Sequence, residues 1–272
     1  MTHVPCKTTA KPMTSHDTLP ELPSDIWHII FRRTEDIELC YSLDFVVFLE
    51  MAITSPTRSI DLAISKEDRG MLVRLVRNGV TSPRIAKFFA SAGSVLGLRF
   101  AHESGCPWDE NLTSFAANLD CLRYIHENGC PWNEYTTSSA AENGHYDCLR
   151  YAHENGCPWN EYTTSSAAEN GHYDCLRYAH ENGCPWDTSK TFNAAAAGHL
   201  ECLRYAHENE SLWYWKTTCH TAMNGHLDCL RYAHENGCRW DRCLGPHAAR
   251  NGHLDCLRYA HENGCRWDKT KL

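Results

Sequence analysis

The chain has 272 residues, 42% of them hydrophobic and 22% charged, with a formal net charge of −8. That length holds one large domain or a small domain beside an array, and that composition excludes a wholly disordered chain. The acidic balance favours solubility and argues against nucleic acid as a partner, which would need a basic stripe. No apolar run reaches the roughly 18 residues of a membrane span, so no membrane is expected. Met1 to Pro20 carries Lys7 and Lys11 but no apolar segment of secretory type. An intracellular, cytoplasmic location is therefore expected. There the 16 cysteines would be buried thiols or metal ligands rather than disulfides.

Residues 1–19 are polar and are expected to be disordered. In the next segment, 20–60, Ser24 or Asp25 can cap a helix that carries Ile26, Trp27, Ile29 and Ile30. The apolar stretch Leu39 to Ile53 predicts one or two further helices, so 20–60 forms a small helical module.

From 61 to 272 the sequence repeats itself. Cys121–Asp147 and Cys148–Asp174 differ only at Ile125 against Ala152, and the unit recurs every 27 residues. Its Leu-Arg-Tyr core starts at Leu122, Leu149, Leu176, Leu203, Leu230 and Leu257. An earlier copy with Leu98-Arg99-Phe100 is three residues shorter, and a degenerate one covers Leu72 to Gly79, giving about eight copies. Each unit reads as two helices. In one copy Glu161–Glu169 is the first, closed by Asn170-Gly171. Tyr173 to Glu181 is the second, closed by Asn182-Gly183. A glycine past a helix end accepts the left-handed conformation that closes it, and Pro185 prevents further helix in the link. On the second helix Cys175, Leu176, Tyr178 and Ala179 form an apolar arc opposite Asp174, Arg177 and Glu181. One such pair cannot bury its apolar faces, but eight stacked pairs share a continuous core.

The run from Ala168-Glu169-Asn170-Gly171-His172 to Glu181-Asn182-Gly183-Cys184 resembles the ankyrin repeat, with its double alanine, Asn-Gly-His turn and Glu-Asn-Gly ending. The likeness extends over about Asp61 to Asp268. Ankyrin repeats average about 33 residues. The shortfall here lies between the tryptophan and the first helix, where that family builds its β-hairpin fingers, and Thr163-Thr164-Ser165-Ser166 stands in place of Thr-Pro-Leu-His. The resemblance implies an all-α, ankyrin-like solenoid of stacked helix-turn-helix units lacking β-hairpin fingers. It also implies a protein-binding scaffold with no enzymatic role. Near-identical units of this length resemble the ankyrin arrays encoded by giant DNA viruses, which would put the protein in a host cytoplasm.

Leu22-Pro23-x-Asp25-Ile26 with Ile30-Phe31 is similar to the opening of an F-box, a three-helix module that docks on the adaptor of a cullin-type ubiquitin ligase. That resemblance implies adaptor contacts at Leu22, Pro23, Ile26, Trp27 and Ile30. The family's Arg-x-Trp-like ending is not evident around Thr54–Asp61, so a simple cap over the first unit stands as the alternative.

Cys148, His153 and Cys157 repeat as Cys-x4-His-x3-Cys, a donor set zinc could use. Five residues place Cys148 and His153 about 140° apart on a helix, and Cys157 lies beyond Gly156. Equivalent cysteines on neighbouring helices stand about 8–10 Å apart, beyond the roughly 7 Å that a disulfide tolerates. Buried thiols and no metal or cofactor are expected. The histidine of each Asn-Gly-His turn is expected to bond backbone at the turn. The link tryptophans are expected to fill space between pairs; a nucleic-acid stacking ladder would need interleaved basic residues, and only Arg239 and Arg266 fit. No phosphate loop, His-Glu-x-x-His or Gly-x-Ser-x-Gly motif occurs.

The copies differ mainly around the first helix. Glu134 and Glu161 become Thr188, Trp215 and Arg242, while Tyr135 and Tyr162 become Ser189, Lys216 and Cys243. Glu142 and Glu169 become Ala196, Met223 and Arg250, whereas the second alanine stays alanine. A constant small residue fits close helix packing. The varied positions fit either a recognition surface for a protein target or drift on an unconstrained face. A monomer is expected.

Overall fold

The computed structural model describes residues 56–186, 189–209 and 211–267, all within one compact unit, Ser55–Leu272. The segment 1–19 and the helical module expected over 20–60, with Leu22, Pro23, Ile26, Trp27 and Ile30, lie outside the described residues up to residue 55. Among the described residues there are fifteen α-helices, one short 3₁₀ turn and no strand. The stacked helix pairs without β-fingers are therefore as the sequence pattern predicts. Among them, too, no helix is long and apolar enough to cross a membrane.

The helices fall into consecutive pairs. Pro56–Ser65 (α1) pairs with Arg69–Arg77 (α2), and Pro83–Ser91 (α3) with Val95–Glu103 (α4). In the third pair the first element is only the 3₁₀ turn Leu112–Phe115, followed by Leu119–Glu127 (α5). The loss of three residues from this copy leaves no room for a full turn of α-helix. Regular pairs follow: Thr136–Glu142 (α6) with Tyr146–Glu154 (α7), and Thr163–Glu169 (α8) with Tyr173–Glu181 (α9). Ser189–Ala197 (α10) then pairs with Leu200–Glu208 (α11), and Thr217–Met223 (α12) with Leu227–Glu235 (α13). Leu244–Arg250 (α14) and Leu254–Glu262 (α15) form the last pair.

The first helix of the regular unit is shorter than expected. Glu161 and Tyr162 lie in a turn ahead of α8, because the Asn160 carboxamide oxygen accepts the Tyr162 N–H at 2.8 Å and the Asn160 carbonyl accepts that of Thr163 at 3.1 Å. An asparagine side chain that takes the backbone donor two residues on delays helix entry.

Packing follows the size of the side chains. Consecutive first helices α6, α8, α10, α12 and α14 lie against one another, with Ala141, Ala168, Ala195 and Ala222 fully buried between them. The constant alanine is thus a close-packing residue. The second helices contribute Cys148, Leu149 and Ala152, with Cys175, Leu176, Cys202, Leu203 and Cys229, to one core, and Leu230, Cys256 and Ala260 to a second cluster.

The missing finger is replaced by threonine. Thr137, on α6, is fully buried. Its hydroxyl accepts the Asn160 N–H at 3.1 Å and faces the Pro158 carbonyl at 3.4 Å, so it fixes the link of the following unit. Thr218 does the same for Asp241 and Arg239. A neutral side chain thereby satisfies backbone groups that would otherwise be buried without partners.

Both helices of a unit end in the same way. Cys157 N–H reaches back to Ala152 O at 2.9 Å and Gly156 N–H to His153 O at 3.0 Å, the double closure that requires a left-handed residue at the glycine. The glycine after the first helix carries a second constraint. A Cβ on Gly171 (φ +75°) would lie 2.4 Å from the ring of His199, whereas one on Gly183 (φ +80°) would meet nothing within 4 Å. The histidine of one turn thus packs on the glycine of the preceding turn. The His172 Nε2–H accordingly donates to Glu142 O of the previous unit at 3.0 Å, so the expected backbone bond forms across units. In the short third pair Asn118 takes this place: it donates to Gly93 O at 3.0 Å and accepts Cys121 N–H at 2.9 Å.

Gly183→Ala should cost only left-handed strain, about 1–2 kcal/mol. Gly171→Ala should cost about 2–4 kcal/mol, because the His199 ring must also move. Chemical denaturation of both variants checks this, and equal losses would show that the ring contact is unimportant.

Burial and the neighbouring His172 hold the His145 imidazole below its usual pKa of 6.5, and burial with His199 and His253 does the same for His226. The folded array therefore binds fewer protons than the unfolded chain as these groups titrate. Their contribution is full above pH 6.5 and is lost as pH falls through the lowered folded values. The melting temperature should drop on acidification across that window. It should drop less when both are replaced by asparagine, the residue that already serves at Asn118. An identical pH slope in the variant would refute the assignment.

Candidate functional site

The most regular chemistry of the array is internal. The Trp159 ring stacks on His153 with centroids 4.4 Å apart and planes 20° apart, and Tyr178 of the next unit meets both rings edge-on. The His153 Nδ1 and the Tyr178 hydroxyl share a hydrogen bond of 3.1 Å, and the Trp159 indole N–H donates to Asn182 O at 3.0 Å. The same His–Tyr bond joins units at His102–Tyr124, His126–Tyr151, His180–Tyr205, His207–Tyr232 and His234–Tyr259. The tryptophans do fill space between pairs. Trp132, Trp159, Trp186, Trp213 and Trp240 also spend their indole donors there, on a backbone carbonyl of the following unit. Single-chain periodicity does not reveal this partnership, whose members lie 23 to 25 residues apart.

His153 is thus engaged with aromatic rings rather than with Cys148 and Cys157. Thirteen of the fourteen cysteines among the described residues are buried, Cys243 being the exposed one. Burial pushes the Cys148 thiol up to about 12, with help from Asp147, and the Cys157 thiol up to about 11. They pack as apolar side chains. Among the described residues no three His, Cys, Asp or Glu side chains converge as a metal would need.

Those varied positions whose side chains are described lie at the surface, at the two ends of the first helices. Glu134, Tyr135, Glu161 and Tyr162, with Trp215 and Arg242, precede these helices and are exposed, while Lys216 is half-buried. Glu142, Glu169 and Arg250 end them and are exposed, with Met223 half-buried. Neighbouring units bring these side chains together. The nearby charge of Glu134, then its hydrogen bond, and more weakly Glu161 of the following unit raise the Tyr135 hydroxyl pKa. Farther along, the Lys216 ammonium sits 4.7 Å above the Trp215 ring. Trp215 and Arg242 line one cleft of about 480 Å³ together with Trp213, Arg239 and Trp240. Arg242 and Arg250 border a second, of about 770 Å³, with His247 and Arg266. Tyr135, Tyr162 and Trp215 are 50%, 57% and 64% exposed, values that mark them as available for contact rather than as core. Tyr214 also lines the first cleft, and the differences among first helices do not point to it, to Arg239 or to Arg266. They belong to the link rather than to the first helix, and only the cleft shows that the two adjoin.

No family model and no curated protein sequence matches this chain. Among solved structures, the crystal structure of the human ASB11 ankyrin repeat domain is similar over 66% of this chain and 84% of that one, at 16% sequence identity and a TM-score of 0.45. So slight a likeness carries no argument for this chain, whose architecture is read from its own helices.

Tyr178→Phe removes the hydroxyl from one inter-unit cluster and should cost about 1 kcal/mol. Tyr178→Ala also removes the ring and should cost roughly 2–4 kcal/mol. Equal unfolding midpoints for the two variants would place the whole contribution in the hydrogen bond and none in the ring packing.

Proposed function

We propose that this chain is a non-enzymatic protein-binding scaffold that contacts its target through the varied positions flanking the first helices. The observation that carries this reading is the contrast within the unit. The histidine, tryptophan and tyrosine that join one pair to the next stay constant from the unit that begins at Cys130 onward, while exposed neighbours change among glutamate, tyrosine, tryptophan and arginine. Tyrosine, tryptophan and arginine are the residues most enriched where proteins bind proteins. A stack in which each unit touches only its neighbours tolerates such changes without loss of fold.

The sequence Leu22-Pro23-Ser24-Asp25-Ile26 favours a more specific form of the same reading. In it the segment 20–60 docks on the adaptor of a cullin-type ligase and the array recruits a substrate, in the host cytoplasm if the chain is viral. The alternative is a simple scaffold or decoy whose N-terminal helices only cap the array. Ile26→Asp with Ile30→Asp places charge on the apolar stripe of the first helix, and burying an unpaired carboxylate is costly enough to abolish docking in an apolar groove. Co-precipitation with full-length protein should show loss of the adaptor and retention of the target for that variant. Replacing Trp215, Lys216, Met223 and Arg250 by alanine should do the reverse. Wild-type protein that never captures the adaptor would eliminate the ligase reading, and target capture unaffected by the four alanines would eliminate the proposed surface.

A further inference from the structure

The chain carries a formal net charge of −8, yet the two clefts beside its last helix pair are basic. Arg239 and Arg242 line the first, and Arg242, Arg250 and Arg266 line the second. All four are exposed, and among the described residues no ion pair engages them. Among the described residues that line either cleft the one carboxylate is Asp241, whose Oδ1 already accepts the Cys243 N–H at 2.8 Å. Earlier units carry other residues at these positions. Where Arg239 and Arg266 stand, they have Pro131, Pro158 and Pro185. Where Arg242 stands they have Glu110, Glu134 and Glu161, and where Arg250 stands, Glu142 and Glu169. Drift on a free face would scatter such changes along the array. Here four gains of arginine meet at two adjoining clefts.

The first cleft, of about 480 Å³, has Trp213, Trp215 and Trp240 in its wall together with Tyr214. Trp215 is 64% and Tyr214 38% exposed. A wall of aromatic rings takes an apolar or aromatic side chain. The second cleft, of about 770 Å³, adds Pro246, His247 and Trp267 to its arginines. Arg242 belongs to both, so a peptide that leaves one cleft enters the other past its guanidinium. Guanidinium groups present forked donors that match a carboxylate. We propose that these clefts receive an acidic segment of the target protein. One apolar side chain of the segment fills the tryptophan-lined cleft, and its carboxylates pair with Arg239, Arg242, Arg250 and Arg266. The proposal rests on the reading of the array as a protein-binding scaffold and names the chemistry of its target.

The surface also limits the length of that segment. Lys216, whose ammonium sits 4.7 Å above the Trp215 ring, adds a cation beside the first cleft. Earlier in the array the sign reverses, because Glu110, Glu134 and Glu161 are exposed at the position that Arg242 holds. A polyanion that ran on along the first helices would meet those carboxylates. Single-stranded nucleic acid carries a phosphate at every nucleotide and needs a groove that stays positive along its path. A short acidic stretch of peptide ends before the sign changes. Tryptophan, tyrosine and arginine together are also the side chains enriched where proteins bind proteins.

The test measures fluorescence anisotropy of the full chain with a labelled peptide in which runs of glutamate flank one phenylalanine. Control peptides replace the glutamates by glutamine, or the phenylalanine by alanine. Wild type is expected to bind the acidic peptide saturably, with affinity falling at least about tenfold between ~0.05 and ~0.5 M salt, as screening predicts. The glutamine peptide should not saturate, and the alanine peptide should bind at least about tenfold more weakly. Arg242→Glu with Arg250→Glu should lose the acidic peptide, and the neutral Arg242→Gln with Arg250→Gln should weaken it at least about tenfold. Glu134→Gln with Glu161→Gln should keep wild-type affinity. An unchanged melting temperature shows each variant to be folded. Wild type that does not bind the acidic peptide, a control peptide bound equally well, arginine variants with wild-type affinity, or an oligothymidylate bound more tightly than the peptide would each overturn the proposal. If the acidic peptide is not bound while alanine at Trp215, Lys216, Met223 and Arg250 still abolishes target capture, the acidic segment is refuted and the scaffold reading stands. Target capture untouched by those alanines overturns both.

Discussion

Between one helix pair and the next, a tryptophan gives its indole proton to a carbonyl of the following unit, stacks on the histidine of its own, and meets the tyrosine that this histidine also holds. The rest of the array depends on that junction. A unit of two short helices has one wall of cysteine, leucine and alanine and no second layer of its own to cover it. Isolated helices of this length are marginal in water, so each pair persists only because its neighbours complete it. The aromatic cluster does this at the outer ends of the second helices, alanine does it between the first helices, and buried threonine does it at the links. The geometry of the pair varies along the array: His261 and Trp267 stand 5.8 Å apart at 57°, against 4.2 Å and 22° for His234 and Trp240.

This division of labour leaves a narrow part of the unit free to vary. The second helix supplies the core on one side and the cluster on the other. The first helix gives its threonines and alanines to packing and polar satisfaction. What remains are the turn before the first helix and the residue at its end, Glu161, Tyr162 and Glu169 in one copy. Those exposed positions change to Trp215, Lys216, Met223, Arg242 and Arg250, and the buried face of the same helix changes with them, from Thr137 to Gly245 and from Ser138 to Cys219 and Pro246. What stays fixed is the second helix and the aromatic junction.

Much of this was legible in the sequence because it is local. The period, the second helices, the left-handed glycines and the close-packed alanine follow from spacing within one unit. The 3₁₀ turn at Leu112–Phe115 was foreshadowed by the three missing residues, though its form was not. The His–Trp–Tyr cluster was not legible, since its tyrosine belongs to the unit after that of the histidine and tryptophan and only stacking brings them together. Tyr178 reads as part of an apolar arc until its hydroxyl is seen to meet His153. The turn at Glu161 and Tyr162 was read as helix because Asn160 looks like an ordinary link residue until its side chain is seen to take the Tyr162 N–H. Leu22, Pro23, Ile26, Trp27 and Ile30 lie outside the described residues, so their reading stays with the sequence.

The sameness of the junctions raises a problem of addressing during folding. Units 121–147 and 148–174 are nearly identical in sequence, so a chain that skipped one of them and paired with the next would form almost the same contacts. Misassembly between like modules is a characteristic failure of repeat proteins, and local energetics cannot correct it here. The correction must come from a copy that does not conform. The third pair is such a copy: it has a 3₁₀ turn where the later units have an α-helix, and Asn118, tied to Gly93, where they have histidine.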